Sequence, residues 1–545
     1  MPASPARFAA LLMALLVCLS AATPASAGQG RKLSQRDVAR TITEADKLAA
    51  EGRLEEARQT LSAALEKDPS QAAIALKLAG TCEALGDWDC VSTASKIAAT
   101  GAQGPEKAQA HAGLAAAHLR AGRHGDAVEN ARMAIELEPS LAAAHVTLAA
   151  GLSQQRDPGA LAAAQKAVEV APSSPLAHAV LGATLAGEGQ AAAAEGAFRK
   201  ALELDPNATG AHAGLAQLQF AAGDHAAAIA SATSALGRDD SLGPLYSLRG
   251  RARFAAGDAD GALQDLQRAV TLQPQDEQAH TALGDLHLAR KSLDLASSHY
   301  RRAVSINPQL APAHLGLAET MVAYRQMDSA RDSIEQAARL LPDSAKAQHL
   351  LGVLREHQKQ PEEALAAFQK AAALDPQMAS AHHGVGRILR EHKKDAPGSV
   401  ASLEMAASLA PEDPDILTDY AVALYDAKQG EKAIPYLQKA VATPDYKNPM
   451  GLAVLGLALK DRQSFGDALG YFERAAELAP KWWLPHWGAA WSHFALIKPG
   501  CPCGAADEDR VKKMKAHYDQ MTSLEGKDDA LQTRLQALVD GQKIR

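Results

Sequence analysis

The stretch that decides the fold is SPLAHAVLGATLAGEGQAAAAEGAFRKALELDP, residues 174–206. Its first half carries an apolar stripe through His178, Leu181, Gly182 and Leu185 at helical spacing. Glycines at 187 and 189 break the pattern, and a second stripe follows through Ala194, Phe198, Ala201 and Leu202. Pro206 ends that helix, because proline donates no backbone hydrogen bond and pushes the residue before it out of the helical region. The unit is a pair of short antiparallel helices.

The same punctuation recurs along the chain. Prolines close helix-like apolar stretches at Pro69, Pro139, Pro172, Pro206, Pro274, Pro308, Pro342, Pro376, Pro411 and Pro480. Their spacing is 33 to 35 residues or close to twice that, with Pro105, Asp240 and Pro444 near the missing steps. A period near 34 excludes most other repeat architectures. The composition is that of a folded, non-cationic chain: 545 residues, 47% hydrophobic, 22% charged and a formal net charge of -7. Counterion release on nucleic acid needs clustered Lys and Arg, and no such cluster occurs, so nucleic-acid binding is not expected.

In these residues the chain resembles the tetratricopeptide-repeat (TPR) family, whose signature runs from a large residue to Leu-Gly, an aromatic, Ala, Phe and finally Pro. The match is clear at Leu452, Leu455, Gly456, Leu459, Ala468, Phe472 and Pro480, and as good at His280, Leu283, Gly284, His287, Ala296, Tyr300 and Pro308. Leu351, Gly352, Ala364, Phe368 and Pro376 repeat it. The resemblance implies an all-α fold, a right-handed superhelical solenoid of antiparallel helix pairs with a helical C-terminal cap. Thirteen repeats are expected over 38–482, from Val38 to Trp482, and a divergent unit with the cap over 483–545. The second repeat carries Trp88 in its turn and ends TGAQGP, which predicts a longer connection there.

Eight histidines, His111, His145, His178, His212, His280, His314, His382 and His486, fall at the fourth position, where the family most typically has Trp. Neighbouring helices pack about 8–10 Å apart, whereas two nitrogens on one zinc lie within about 4 Å of each other. Successive histidines of this column therefore cannot readily share a metal. Each is expected to be an amphipathic plug with its ring between helices and one nitrogen hydrogen-bonded. At the eighth position Gly182, Gly284, Gly352, Gly386 and Gly456 are expected to let adjacent helices approach, offsetting about 1 kcal/mol of lost helix propensity each.

In the family the inner helices line a concave groove, with positions 2, 5, 9, 12 and 13 facing it. From the third to the seventh repeat those positions are small and apolar: Ala112, Ala116, Leu119, Val146, Ala150, Ala179, Ala183, Ala186 and Ala213, with Phe220 and Phe254 as aromatic points. Such a face suits a helix or an extended apolar segment of a partner. In the tenth and eleventh repeats the same positions give His349, Glu356, His357, His383, Arg387, Arg390 and Glu391, a titratable patch suited to a charged peptide. The Lys and Asn of the carboxylate clamp found in chaperone-binding members are absent from their places. An asparagine ladder is absent too, since Asn130, Asn207, Asn307 and Asn448 are not on inner helices.

No P-loop, dinucleotide fingerprint, HExxH, G-x-S-x-G or metal-spaced Cys/His set occurs, so no catalytic residue, cofactor or metal is expected. Residues 1–27 read as an export signal, with Arg7, an apolar run from Phe8 to Leu19 and an exit at Ala25-Ser26-Ala27. Cleavage after Ala27 leaves 28–37 as a linker and predicts a periplasmic chain without a transmembrane span. An outer-membrane lipoprotein anchored at Cys18 is the rival, disfavoured because Val17 stands where a small residue is wanted. The other four cysteines predict a bridge between Cys82 and Cys90, and a local disulfide or a redox or metal pair at Cys501 and Cys503 in KPGCPCGAADE. Trp487 and Trp491 are expected either under the terminal cap or as aromatic anchors for a partner. The expected function is a non-enzymatic scaffold holding envelope proteins of a motility, pilus, secretion or polysaccharide-export assembly. The alternative is a redox or metal-linked role at Cys501 and Cys503.

Overall fold

A computed structural model describes residues 32–497, 505–524 and 527–539. The signal segment, Cys18, Cys501 and Cys503 lie outside the described residues. The chain divides into two compact units, Met1–Pro308 and Gln309–Arg545. In the first, eight antiparallel helix pairs run from Gln35–Ala50 to Leu293–Ile306. In the second, five pairs run from Ala311–Ala323 to Phe465–Leu478, followed by Trp483–Ala495, Ala505–Ser523 and Asp529–Val539. Among the described residues there is no strand. The fold is thus the all-α solenoid of antiparallel helix pairs.

A lone pair of short helices cannot bury its apolar face, so each pair is stable only against its neighbours. The buried side chains are mostly alanine, and several second helices bury one large aromatic residue among them. Phe198, 1% exposed, is one of these. A methyl group at Gly182 would lie 2.7 Å from its ring, and Gly214, on the next repeat's first helix, faces the same ring more closely still. Phe368 sits likewise between Gly352 and Gly384, and Phe472 between Gly456 and Gly488. At Gly182, Gly284, Gly352 and Gly456 the eighth-position glycine is therefore small to seat the aromatic ring of its own second helix, and Gly386 makes the same room for Leu403, rather than bringing first helices together directly.

The turn between the helices of a pair needs a left-handed residue. Gly189 (φ +77°) and Gly257 (φ +87°) supply it without strain, whereas Lys359 holds φ 59° with a side chain present. The fourth-position histidines secure the preceding loop. Nε2 of His145, His178, His212 and His382 lies 2.8, 2.9, 3.0 and 3.1 Å from the carbonyl oxygen of the proline six residues earlier. A carbonyl only accepts, so Nε2 carries the proton. Gln348 occupies the same position and donates its amide to the Pro342 carbonyl at 3.1 Å. His111 differs because Pro105 lies inside the first turn of Gly104–Arg120, and its Nδ1 donates to Asn130 Oδ1 at 3.0 Å.

The longer connection expected after the second repeat is not present. Only Ala102 and Gln103 separate Trp88–Gly101 from Gly104–Arg120. Proline at the first helical turn fits without losing a hydrogen bond, so Pro105 starts this 17-residue helix instead of ending the previous one.

Candidate partner-binding groove

Within the first unit, the first helices Ala72–Leu85, Gly104–Arg120, Ala142–Gln155, Pro175–Gly187 and Thr209–Ala221 line a groove of about 970 Å³. Its floor is built from small side chains, Ala112, Ala116, Ala150, Ala179, Ala183 and Ala213, because positions 2, 5 and 9 of successive helices repeat on one face. Leu119 and Val146 join them, and Leu176, 62% exposed, adds an apolar side chain open to solvent. Of the lining residues only Glu83, Arg120 and Asp239 are charged.

Phe220 and Phe254 do not line this groove. Phe220 lies under the Arg251 guanidinium at 4.6 Å and beside His225, and Phe254 packs among Leu266, Leu283 and Leu286. The aromatic residues that do line it are Trp88, with the Arg120 guanidinium 4.9 Å above its ring, and the buried Phe198. Trp88 stands at the first position of its helix, outside the positions the family pattern assigns to the groove, and was missed for that reason. Close by, Cys82 and Cys90 are joined, with Cα atoms 5.8 Å apart.

The polar positions of the second unit are brought together, and they pair with one another. Arg387 donates from one nitrogen, Nη2, to both oxygens of Glu356. His383 Nε2 lies 2.7 Å from Asp419 Oδ2, and Arg390 reaches Asp419 at 3.5 Å and Glu391 at 2.8 Å. Burial works against the charge on Asp419, but the His383 hydrogen bond and the neighbouring Arg390 and Arg387 hold its carboxyl below the usual range. His349 is pushed down by burial, with its ring tilted on Phe368 at 5.6 Å. His357, at the end of its helix, is exposed.

At the C-terminal end, Trp487 and Trp491 pack with Met514, Tyr518 and Leu531 of the last two helices. Both indoles donate to one carboxylate oxygen, Asp528 Oδ2, at 2.7 and 2.8 Å. Arg534 lies over Trp491 at 4.7 Å, and Lys460 over Trp487 at 5.4 Å. These rings are covered by the chain itself.

Two sets of three imidazoles were not anticipated. His280 and His287, one heptad apart, meet His299, with Nδ1 of His280 and His299 3.2 Å apart. His486 and His493 meet His517 in the same way, with an Nδ1–Nδ1 distance of 3.1 Å. In the second set Glu473 also approaches His493 Nε2, at 3.6 Å. The spacing of seven between His280 and His287, and again between His486 and His493, was the available signal.

The tetratricopeptide-repeat family models match residues 42–89, 150–209, 247–311 and 316–379, and a second model of that family matches 185–241. The chain is a tetratricopeptide-repeat protein. No curated protein sequence matches it. Among solved structures it is similar to the APC/C hetero-tetramer Cut9–Hcn1, at 14% identity, TM-score 0.46, over 78% of this chain and 96% of that one. It is similar also to Pseudomonas aeruginosa pilF, at 21% identity and TM-score 0.36, over 40% and 100% of the two chains. A third is YrrB, a TPR protein with an unusual peptide-binding site, at 22% identity and TM-score 0.29, over 36% and 97%. These likenesses speak to the fold alone. Among the described residues no helix is long and apolar enough to cross a membrane.

Proposed function

We propose that the protein is a non-enzymatic scaffold of the bacterial cell envelope that holds an apolar segment of a partner protein in the groove of its first unit. The TPR fold is that of protein-interaction scaffolds, and the observation that carries the reading is the groove's lining. Alanines along the first helices of five consecutive repeats leave the volume empty, so the large side chains that fill it come from the partner, as when an amphipathic helix lays its apolar face into a groove. The near absence of charge on the lining favours an apolar occupant over the charged peptide suggested by the second unit, whose His383, Arg387 and Arg390 are already paired. Export follows from the reading of residues 1–27 as a signal.

A photocrosslinking residue placed at Ala150 or Ala183 in intact cells tests this, with Glu136 on an exposed second-helix face as the control. Crosslinks from the groove positions alone, mapping to one apolar segment of an envelope protein, support the reading. Crosslinks of equal yield from Glu136, or none from the groove, refute it. A periplasmic chain beginning at Gly28 supports the compartment, and a chain retaining Met1 refutes it.

A further inference from the structure

The three helices at the C-terminal end of the second unit each contribute one potential metal ligand to a common point. Glu473 lies on Phe465–Leu478, His493 on Trp483–Ala495 and His517 on Ala505–Ser523. One ligand atom from each falls within 4.8 Å of the other two. His493 is 3% exposed, and neither of its ring nitrogens has a hydrogen-bond partner among the described residues. An interior imidazole with both nitrogens unused is unusual, since buried polar groups are nearly always satisfied.

The protonation of His517 is set by a chain of hydrogen bonds. His486 Nε2 lies 3.2 Å from the Pro480 carbonyl and must donate to it, which leaves His486 Nδ1 as an acceptor. His517 Nδ1, 3.1 Å away, then carries the proton, and its Nε2 keeps a lone pair. Metal-ligating histidines are typically oriented by such a donated N–H. Burial pushes His493 down, and burial with the neighbouring His486 and His493 holds His517 at about 4.

We propose that Glu473, His493 and His517 form a binding site for a zinc-type divalent cation that pins the helix Ala505–Ser523 to the last repeat. Two imidazoles and one carboxylate are a donor set zinc accepts, with a further position left for water. Closing the ligands onto one ion needs Glu473 to swing inward, and its side chain is 42% exposed and able to do so. Lys513, held by Asp509 at 3.0 Å, and Arg510 also face His493, and they set a limit on affinity. The other imidazole set is a built-in comparison. His280, His287 and His299 repeat the Nδ1–Nδ1 contact, but no carboxylate completes a three-ligand group there among the described residues.

The test uses the full chain carrying Cys501→Ser and Cys503→Ser, so that thiols cannot hold the metal. The chain is stripped with a chelator and titrated with Zn²⁺ against a chromogenic competitor. One Zn²⁺ per chain is expected, with X-ray absorption showing nitrogen and oxygen ligands at about 2.0–2.1 Å. Glu473→Gln, at a half-exposed position where the isosteric change keeps the fold intact by circular dichroism, weakens binding at least tenfold. His493→Ala abolishes binding, His486→Gln weakens it roughly 10–100-fold by loosening His517, and His299→Gln leaves it unchanged. No stoichiometric binding, or binding that Glu473→Gln and His493→Ala leave intact, overturns the proposal.

Discussion

Replacing Gly182 by alanine separates two physical effects of opposite sign. Intrinsic helix propensity alone makes a mid-helix glycine to alanine change stabilising by about 1 kcal/mol. The new methyl, however, would lie 2.7 and 2.8 Å from two carbons of the Phe198 ring, which is itself 1% exposed and already pressed against Gly214 of the next helix. Overpacking of that kind costs about 1–3 kcal/mol, so the net change is a loss of about 0–2 kcal/mol. Gly196 provides the matched control: it lies mid-helix in Ala191–Leu204, is exposed, and has nothing within 4 Å of an added methyl. Gly196→Ala therefore gains about 1 kcal/mol. Phe198→Ala loses about 3–5 kcal/mol, and combined with Gly182→Ala it is less destabilised than the sum by about 1–3 kcal/mol, because the clash disappears with the ring. Stability in a stack of repeats is local. The assay is accordingly urea titration read by hydrogen exchange over 175–221. If Gly182→Ala stabilises as much as Gly196→Ala, or the double variant is simply additive, the ring-seating explanation of the glycine column is wrong.

Other consequences follow from the same geometry. Mass spectrometry before and after reduction should show the Cys82–Cys90 bridge, and because it closes a short loop, Cys82→Ser with Cys90→Ser should lower local stability by roughly 2.5 kcal/mol. His212→Ala should cost about 1 kcal/mol in denaturant titration by removing the hydrogen bond to Pro206, while His212→Gln should cost less, since Gln348 already makes that contact in its own repeat. Burial holds His299 and His517 at about 4 against an unfolded value near 6.5, so the unfolded chain takes up their protons first as pH falls. Their contribution is full above about pH 6.5 and is lost between there and pH 4, seen as a falling urea midpoint that His299→Gln should make shallower. Asp528→Ala leaves two indole N–H groups without their acceptor. Tryptophan emission should shift to the red and exchange in Asp529–Val539 should rise, and unchanged spectra would refute the cap contact.

The repeats were legible because a 34-residue period writes itself redundantly: Pro206, Phe198 and Gly182 each have counterparts that fix the register even where one unit is irregular. Where a unit departs, local rules mislead. Pro105 reads as a helix stop by the spacing of its neighbours, but as the second residue of Gly104–Arg120 it is a helix start. The histidine column was readable as structural, yet its acceptor, the proline carbonyl six residues back, depends on the loop's backbone direction and is not a pattern of residue types. The groove was half legible. Leu119 and Val146 follow from position within the repeat, whereas Phe220 and Phe254 are drawn away by Arg251 and by a leucine cluster that no single-repeat reading displays.

The polar positions show why pairing across repeats matters more than residue type for choosing the binding face. His349, His383, Arg387 and Arg390 read as an open, titratable patch when each repeat is taken alone. Their partners arrive from other helices: Glu356 lies 31 residues before Arg387, and Asp419 lies 36 residues after His383. A charged peptide would have to break the Arg387–Glu356 contact and the part-buried His383–Asp419 contact before making its own, and breaking such pairs leaves charges partly buried and uncompensated. The alanine-lined groove of the first unit carries no such cost, since its surface has no internal partner to lose. The physical asymmetry between the two faces, one with its charges already paired and one lined by alanine, is what favours the first unit as the proposed partner site, while the second unit's charges hold its own helices in register.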